Sequence, residues 1–226
     1  EKHNAFRDED LQALSAAMRR LDADDTAEIA VLFGQGRSFS SGGDIDARLQ
    51  RSMDEGSTAG RTTEREAFLE CDHWKPVIAA VHGYCLGHAL ATALLCDHVV
   101  ASRNARFQLT ETKIGLAMPG LIPQLGTPAF AYDVAMTGRM FTAEEAVAGG
   151  MLTRMVEDGR HIEGAEELAG QVLENPQTAV RSLVQVRRAM IVDASARYKA
   201  VAPVFDWATS SEARAAVAAR ATGNMG

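Results

Sequence analysis

The stretch His82–Asp97, HGYCLGHALATALLCD, decides how this chain is read. It follows the short apolar run Val77–Val81, meets glycines at 83 and 87, and continues into apolar residues at helical spacing. Strand, glycine turn and helix start are the elements this order predicts. A helix that opens after such a turn leaves its first N–H groups without partners inside the helix and presents the positive end of its dipole. Those groups suit an anion or an oxygen that becomes negative during reaction. Glycine is common at tight strand-to-helix turns, so the stretch alone also fits any α/β protein.

Outward from this centre the chain alternates. Asp8–Leu21 has apolar residues at Leu11, Leu14, Ala17, Met18 and Leu21, the stripe of an amphipathic helix. Glu28–Phe33 reads as a buried strand and ends in Gly34-Gln35-Gly36. A dinucleotide site would need a third glycine where Phe39 stands, and an acidic residue closing the next strand; both are missing. Asp44–Leu49 and Thr63–Asp72 read as helices flanking a polar loop, Arg51–Thr63. After the centre come strands at His98–Ala101 and Ala105–Leu109, then Thr110-Glu111-Thr112 at a strand end and a loop at Gly115–Gly126. Helices are predicted at Ala129–Thr137 and Ala143–Ala148. The second has Thr142 before it and Glu145 three residues on, a capping box. Leu152–Val156 is the last strand; Ala165–Leu173, Thr178–Ile191 and Ala196–Ala208 are helical. The change near Gly159–Glu163 divides the chain into residues 1–160, alternating strand and helix, and 161–226, helix only.

Composition narrows the function. The chain has 226 residues, 46% of them hydrophobic, and a formal net charge of −7, which disfavours a nucleic-acid surface. No apolar run reaches the roughly 18–20 residues that cross a bilayer, so no membrane association is expected. The three cysteines, Cys71, Cys85 and Cys96, lack metal-ligand spacing. They fit a reducing, cytoplasmic setting, with Cys96 a small buried hydrophobe. No G-x-S-x-G elbow marks a serine hydrolase.

Four segments in order carry a resemblance: FSSGGD (Phe39–Asp44), VHGYCLGHALATALLCDHVVA (Val81–Ala101), ARFQLTETKIGL (Ala105–Leu116) and MTGRMFTAEEAVAGGMLTRMVE (Met136–Glu157). With the opening EKHNAF, they make the chain similar to the crotonase, or enoyl-CoA hydratase/isomerase, superfamily. The resemblance implies an α/β fold, a spiral of β-β-α units with an all-helical C-terminal region for oligomerisation. It implies a homotrimer or dimer of trimers, an acyl-CoA thioester as substrate, no metal, and no cofactor beyond the coenzyme A that the substrate carries.

By position in the motifs, the backbone N–H groups of Gly43 and His88 would receive the thioester oxygen. Reaction next to a thioester carbonyl puts negative charge on that oxygen, and one preorganised donor there contributes about 3–4 kcal/mol. The family's hydratases use two glutamates; the first falls at Ala91, which cannot titrate, and the second at Glu111, with Thr110 in place of the usual proline. One carboxylate can carry a proton between α- and γ-carbons through a dienolate without activating water, so the expectation is double-bond isomerisation through Glu111. The alternatives are a hydratase (lyase), or a C–C bond hydrolase using the imidazole of His88, which otherwise is a side chain the turn tolerates. A non-catalytic acyl-CoA-binding subunit is the reading from another class. Lys2, Ala5, Ser41, Asp44 and Ile45 are expected along coenzyme A. Ala91, Leu116, Met118 and Leu121 are expected to shape the acyl pocket.

Overall fold

The computed structural model describes residues 3–43, 73–114 and 119–201, with positions 211, 215, 218 and 219. The expected helices at 44–49 and 63–72 and the loop between them lie outside the described residues. The elements in order are α1 (Asp8–Ala23), β1 (Ala30–Phe33), β2 (Val77–Val81), β3 (Tyr84–Leu86), α2 (His88–Leu95), β4 (His98–Ser102) and β5 (Arg106–Gln108). Two 3-10 segments follow, Glu111–Ile114 and Pro119–Leu125. Then come α3 (Pro128–Thr137), β6 (Phe141–Thr142), α4 (Ala143–Ala148), β7 (Arg154–Val156), α5 (His161–Leu173) and α6 (Gln177–Val201).

Four strands form a parallel sheet in the order β1-β2-β4-β7, with Val31 opposite Ile78, Ile78 opposite His98 and Val100 opposite Arg154. Every residue of β2 is buried because both faces of the sheet are covered, which is why this strand reads as an unbroken apolar run. Side chains alternate across a strand. Val77, Ala79, Val81, Val99 and Ala101 pack with Met18, Leu90 and Leu94 of the two helices on one face. Ile78, Ala80 and Val100 meet Ala165, Leu168 and Ala169 of α5 on the other.

The second sheet, β3-β5-β6, corrects the expected turn at 82–87: Tyr84–Leu86 is a strand, parallel to β5. Cys85 is fully buried on it, beside Phe107, whose ring stacks on Phe141 at 5.5 Å. A three-residue strand has too little periodicity to show between two glycines. The loop expected at 115–126 is likewise helical from Pro119 to Leu125. The helix expected at 178–191 and the described part of the one expected at 196–208 are one helix from Gln177 to Val201, as no glycine or proline interrupts Val192–Ser195; residues 202–208 lie outside the described residues. The capping box of α4 is present: Glu145 N–H donates to Thr142 Oγ1 at 3.2 Å, and Thr142 N–H to Glu145 Oε2 at 2.9 Å. The architecture is the α/β one the resemblance implied, strand–strand–helix units followed by helices.

One polar cluster holds these layers together. Arg187 and Arg188 of α6 reach the open carbonyl end of α2: Arg187 donates to Leu94 O at 2.6 Å and Arg188 to Leu95 O at 2.6 Å. Cationic donors there satisfy carbonyls that the helix leaves open and complement its dipole. Arg188 also donates to Asp97 Oδ2 at 2.9 Å, and the same oxygen accepts from Val77 N at 2.8 Å. The remaining partner is His73, whose Nε2 lies 2.6 Å from Arg188 Nη2. A guanidinium only donates, so His73 is neutral with its lone pair on Nε2. Burial first, then the charges of Arg188 and Arg187, push the His73 imidazole down to about 3.

The sign of the resulting pH dependence follows. Between about 6.5 and about 3 the unfolded chain protonates His73 and the folded chain does not, so stability is complete above the unfolded value and falls on acidification. His98 and His161 are also lowered, both chiefly by burial, and act in the same direction. Urea unfolding at pH 7 and pH 5 should show a loss of about 2 kcal/mol from His73 alone. His73→Gln should flatten that slope; an unchanged slope would refute the assignment.

Candidate active site

The site is built where the first glycine loop meets the start of α2. The segment from His3 to Phe6 runs beside the loop that carries Gly43. Ser41 N–H donates to His3 O at 2.8 Å, Phe6 N–H to Gly42 O at 2.7 Å, and Phe6 and Gly43 form a parallel bridge. Ser40 bridges Cys85 of β3, so the loop lies along the small sheet. Gly42 is at φ +95°, and a Cβ there would stand 2.5 Å from Leu86 O and 3.5 Å from His88 N. The loop thus passes against the end of β3 and the first residue of α2 at a distance only glycine permits.

His88 opens α2, and the first donor bonded within that helix is Ala91 N–H, to Gly87 O at 3.1 Å. The His88 nitrogen ahead of it lies close to the Gly42–Gly43 turn, 3.5 Å from the position of a Cβ on Gly42. The His88 ring sits half-buried and edge-on to Phe6, with centroids 6.0 Å apart. Its carbonyl accepts from Thr92 Oγ1 at 2.9 Å.

Glu111 reaches the same place from the small sheet. Gly87 N–H donates to Gln108 O at 2.7 Å, joining the helix start to the end of β5. Gly87 lies at φ +52°, and a Cβ on it would stand 2.5 Å from Thr110 Oγ1 and 3.1 Å from Glu111 Oε1. The Glu111 carboxylate therefore packs on the N-terminal end of α2. The 3-10 segment it begins is tied down by Thr112 Oγ1, which donates to Ala135 O of α3 at 2.6 Å.

Of the residues expected from sequence, the structure brings Ala5, Ser41, Gly43, His88 and Glu111 to one locality, all of them half-buried. Ala91 is fully buried on α2 and Leu121 is 6% exposed in the same apolar core, so each would act on a pocket from behind its wall. Lys2, Asp44, Ile45, Leu116 and Met118 lie outside the described residues. Cys96 is buried as expected, and burial pushes its thiol up to about 12. Among the described residues no helix is long and apolar enough to cross a membrane.

Sequence reasoning missed the contact of Thr110 with Gly87 and the cluster around Arg188. The second had a signal. Val184, Arg188 and Ile191 are at helical spacing on α6, and Arg188 is as buried as the two apolar residues. A cation on an apolar stripe needs a partner, and Asp97 ends the apolar run of α2.

Comparison with known proteins bears on the family and the fold. The model of the enoyl-CoA hydratase/isomerase family matches residues 1–214. Carnitinyl-CoA dehydratase of Salmonella heidelberg (strain SL476) is 34% identical over 210 residues, 87% of this chain and 78% of that protein. An enoyl-CoA hydratase/isomerase from Xanthobacter autotrophicus Py2 superposes with a TM-score of 0.82 at 28% identity, covering 99% of this chain and 87% of that one. A carnitinyl-CoA hydratase from Mycobacterium avium gives 0.77 at 26% identity, covering 94% and 85%. The chain belongs to the enoyl-CoA hydratase/isomerase, or crotonase, family and is an enzyme of that type, acting on acyl-CoA thioesters.

Proposed function

We propose that the chain moves the double bond of an enoyl-CoA, with Glu111 carrying the proton and the N–H groups of Gly43 and His88 holding the thioester oxygen. The observation that carries this reading is the Glu111 carboxylate at the start of α2, its Oε1 against Gly87. The motif's other acidic position holds Ala91, fully buried. Glu111 takes a proton from the α-carbon of a 3-enoyl thioester. The charge spreads over a dienolate whose oxygen is held by the two amides, and the same carboxyl group returns the proton at the γ-carbon. No water takes part, so one acid/base group suffices. Ala5 and Ser41 would border the coenzyme A, and Lys2, Asp44 and Ile45, outside the described residues, are proposed for the same role. Residues 161–226 form the oligomerisation region of a homotrimer or dimer of trimers.

A dehydratase or hydratase is the second reading, favoured by the relatives at 34% identity named carnitinyl-CoA dehydratase. NMR of the protein with a 3-enoyl-CoA in D2O separates the two. Growth of the 2-enoyl isomer supports isomerisation, whereas accumulation of 3-hydroxyacyl-CoA requires a second group to activate water and overturns it. His88→Ala keeps the backbone N–H and removes the imidazole, so the proposal expects a loss of activity below about tenfold. Collapse of turnover in that variant would make the imidazole the acid/base group, as a C–C hydrolase would need. Binding of acyl-CoA without turnover of any substrate would mean a non-catalytic subunit.

A further inference from the structure

The Thr110 side chain has no role in the reaction as written, yet it stands between the two elements that define the site. Its Oγ1 and the Glu111 Oε1 flank one point, the position of a Cβ on Gly87, at 2.5 and 3.1 Å. Thr110 thus fills the space left by the absent side chain of Gly87 and rests on the start of α2. Its backbone closes the turn under the carboxylate, Thr110 O accepting from Lys113 N at 3.1 Å. The side chain is half-buried, and its hydroxyl has no hydrogen-bond partner among the described residues. A hydroxyl that no protein group holds, next to a carboxylate, is a donor with an acceptor at hand.

We propose that Thr110 is a positioning residue for Glu111: wedged against Gly87, it fixes where the carboxylate stands, and its hydroxyl donates to the ionised carboxylate once substrate displaces water. The inference rests on Glu111 being the base. Hydrogen bonds of this kind tighten in the substrate complex, so a bond not yet made in the free protein accords with the role. A hydroxyl that donates to an anion both orients it and favours its charged form. The carboxylate then faces the acyl chain in one rotamer rather than several.

The test compares Thr110→Val, which keeps the shape and removes the donor, with Thr110→Ser, which keeps the donor. With a 3-enoyl-CoA, Thr110→Val should lower kcat about tenfold, leave KM and Tm near those of the parent, and move the acidic limb of the kcat/KM profile to higher pH. Thr110→Ser should recover most of kcat and restore the profile. An unchanged kcat and pH profile in Thr110→Val would overturn the inference. So would equal losses in Val and Ser variants, which would make Thr110 a packing residue alone. Failure of the base reading shows separately, as turnover that survives Glu111→Gln, and it overturns this inference as well.

Discussion

Replacing Glu111 with glutamine is expected to lower kcat for 3-enoyl-CoA isomerisation about a thousandfold, with acyl-CoA affinity unchanged within about twofold. The amide keeps the size and shape of the carboxylate but cannot take a proton, and positioned acid/base groups contribute about 100- to 10,000-fold. The upper part of that range applies because no second acid/base residue stands at Ala91 to take over. Affinity should survive because, in the proposed mechanism, the thioester oxygen would be held by backbone N–H groups of Gly43 and His88, which the substitution does not touch. Steady-state kinetics and calorimetry with a non-reactive acyl-CoA separate the two effects. If kcat and affinity fell together, Glu111 would be a binding residue and the proton would need another carrier. Turnover within tenfold of the parent would remove Glu111 from the chemistry altogether.

The glycine motifs made the meeting of the two loops at the candidate site legible in sequence because they encode backbone geometry rather than side-chain preference. Gly42 and Gly87 both lie at positive φ, and both make approaches that a Cβ would block, so their spacing records where two loops touch. Strand β2 was equally plain, a buried parallel strand being apolar along its whole length. Short elements were not. Tyr84–Leu86 and Phe141–Thr142 gain their strand conformation from pairing with Arg106–Gln108, a tertiary event with no local trace. The joining of two expected helices into Gln177–Val201 also has a tertiary part, since the helix packs on Pro119–Leu125 and Arg188 ties it to Leu95 at the end of α2. What Glu111 touches was illegible for a simpler reason. The sequence shows that Thr110 precedes it, and only the fold shows that both press on Gly87.

Arg188→Met should be the most damaging single change to stability, about 3–5 kcal/mol, because it strands a buried charge. Arg188 is 4% exposed, and the Asp97 side chain that it pairs with is 8% exposed. Removing the cation leaves that carboxylate with Arg187, at 3.9 Å, as its remaining cationic neighbour among the described residues, and Leu95 O loses its closer guanidinium donor. The cost is not the net worth of the ion pair, since bringing both charges out of water offsets most of their attraction. A double-mutant cycle with Asp97→Asn shows the difference. The pair of substitutions together should cost less than the sum of the two alone, because neither change then leaves an unpaired charge. Additive losses in urea unfolding would mean that each residue acts through separate contacts, Asp97 through Val77 N and Arg188 through Leu95 O. The reach of the damage is set by what the cluster joins. Arg188 lies on α6, Asp97 follows the helix that carries His88 at its other end, and Val77 begins the central strand. Loosening it frees the far end of the helix whose first N–H groups are proposed to receive the thioester oxygen. Near the unfolding midpoint, Arg188→Met should therefore lose activity before it loses helix content, a sequence that parallel activity and circular-dichroism melts would detect.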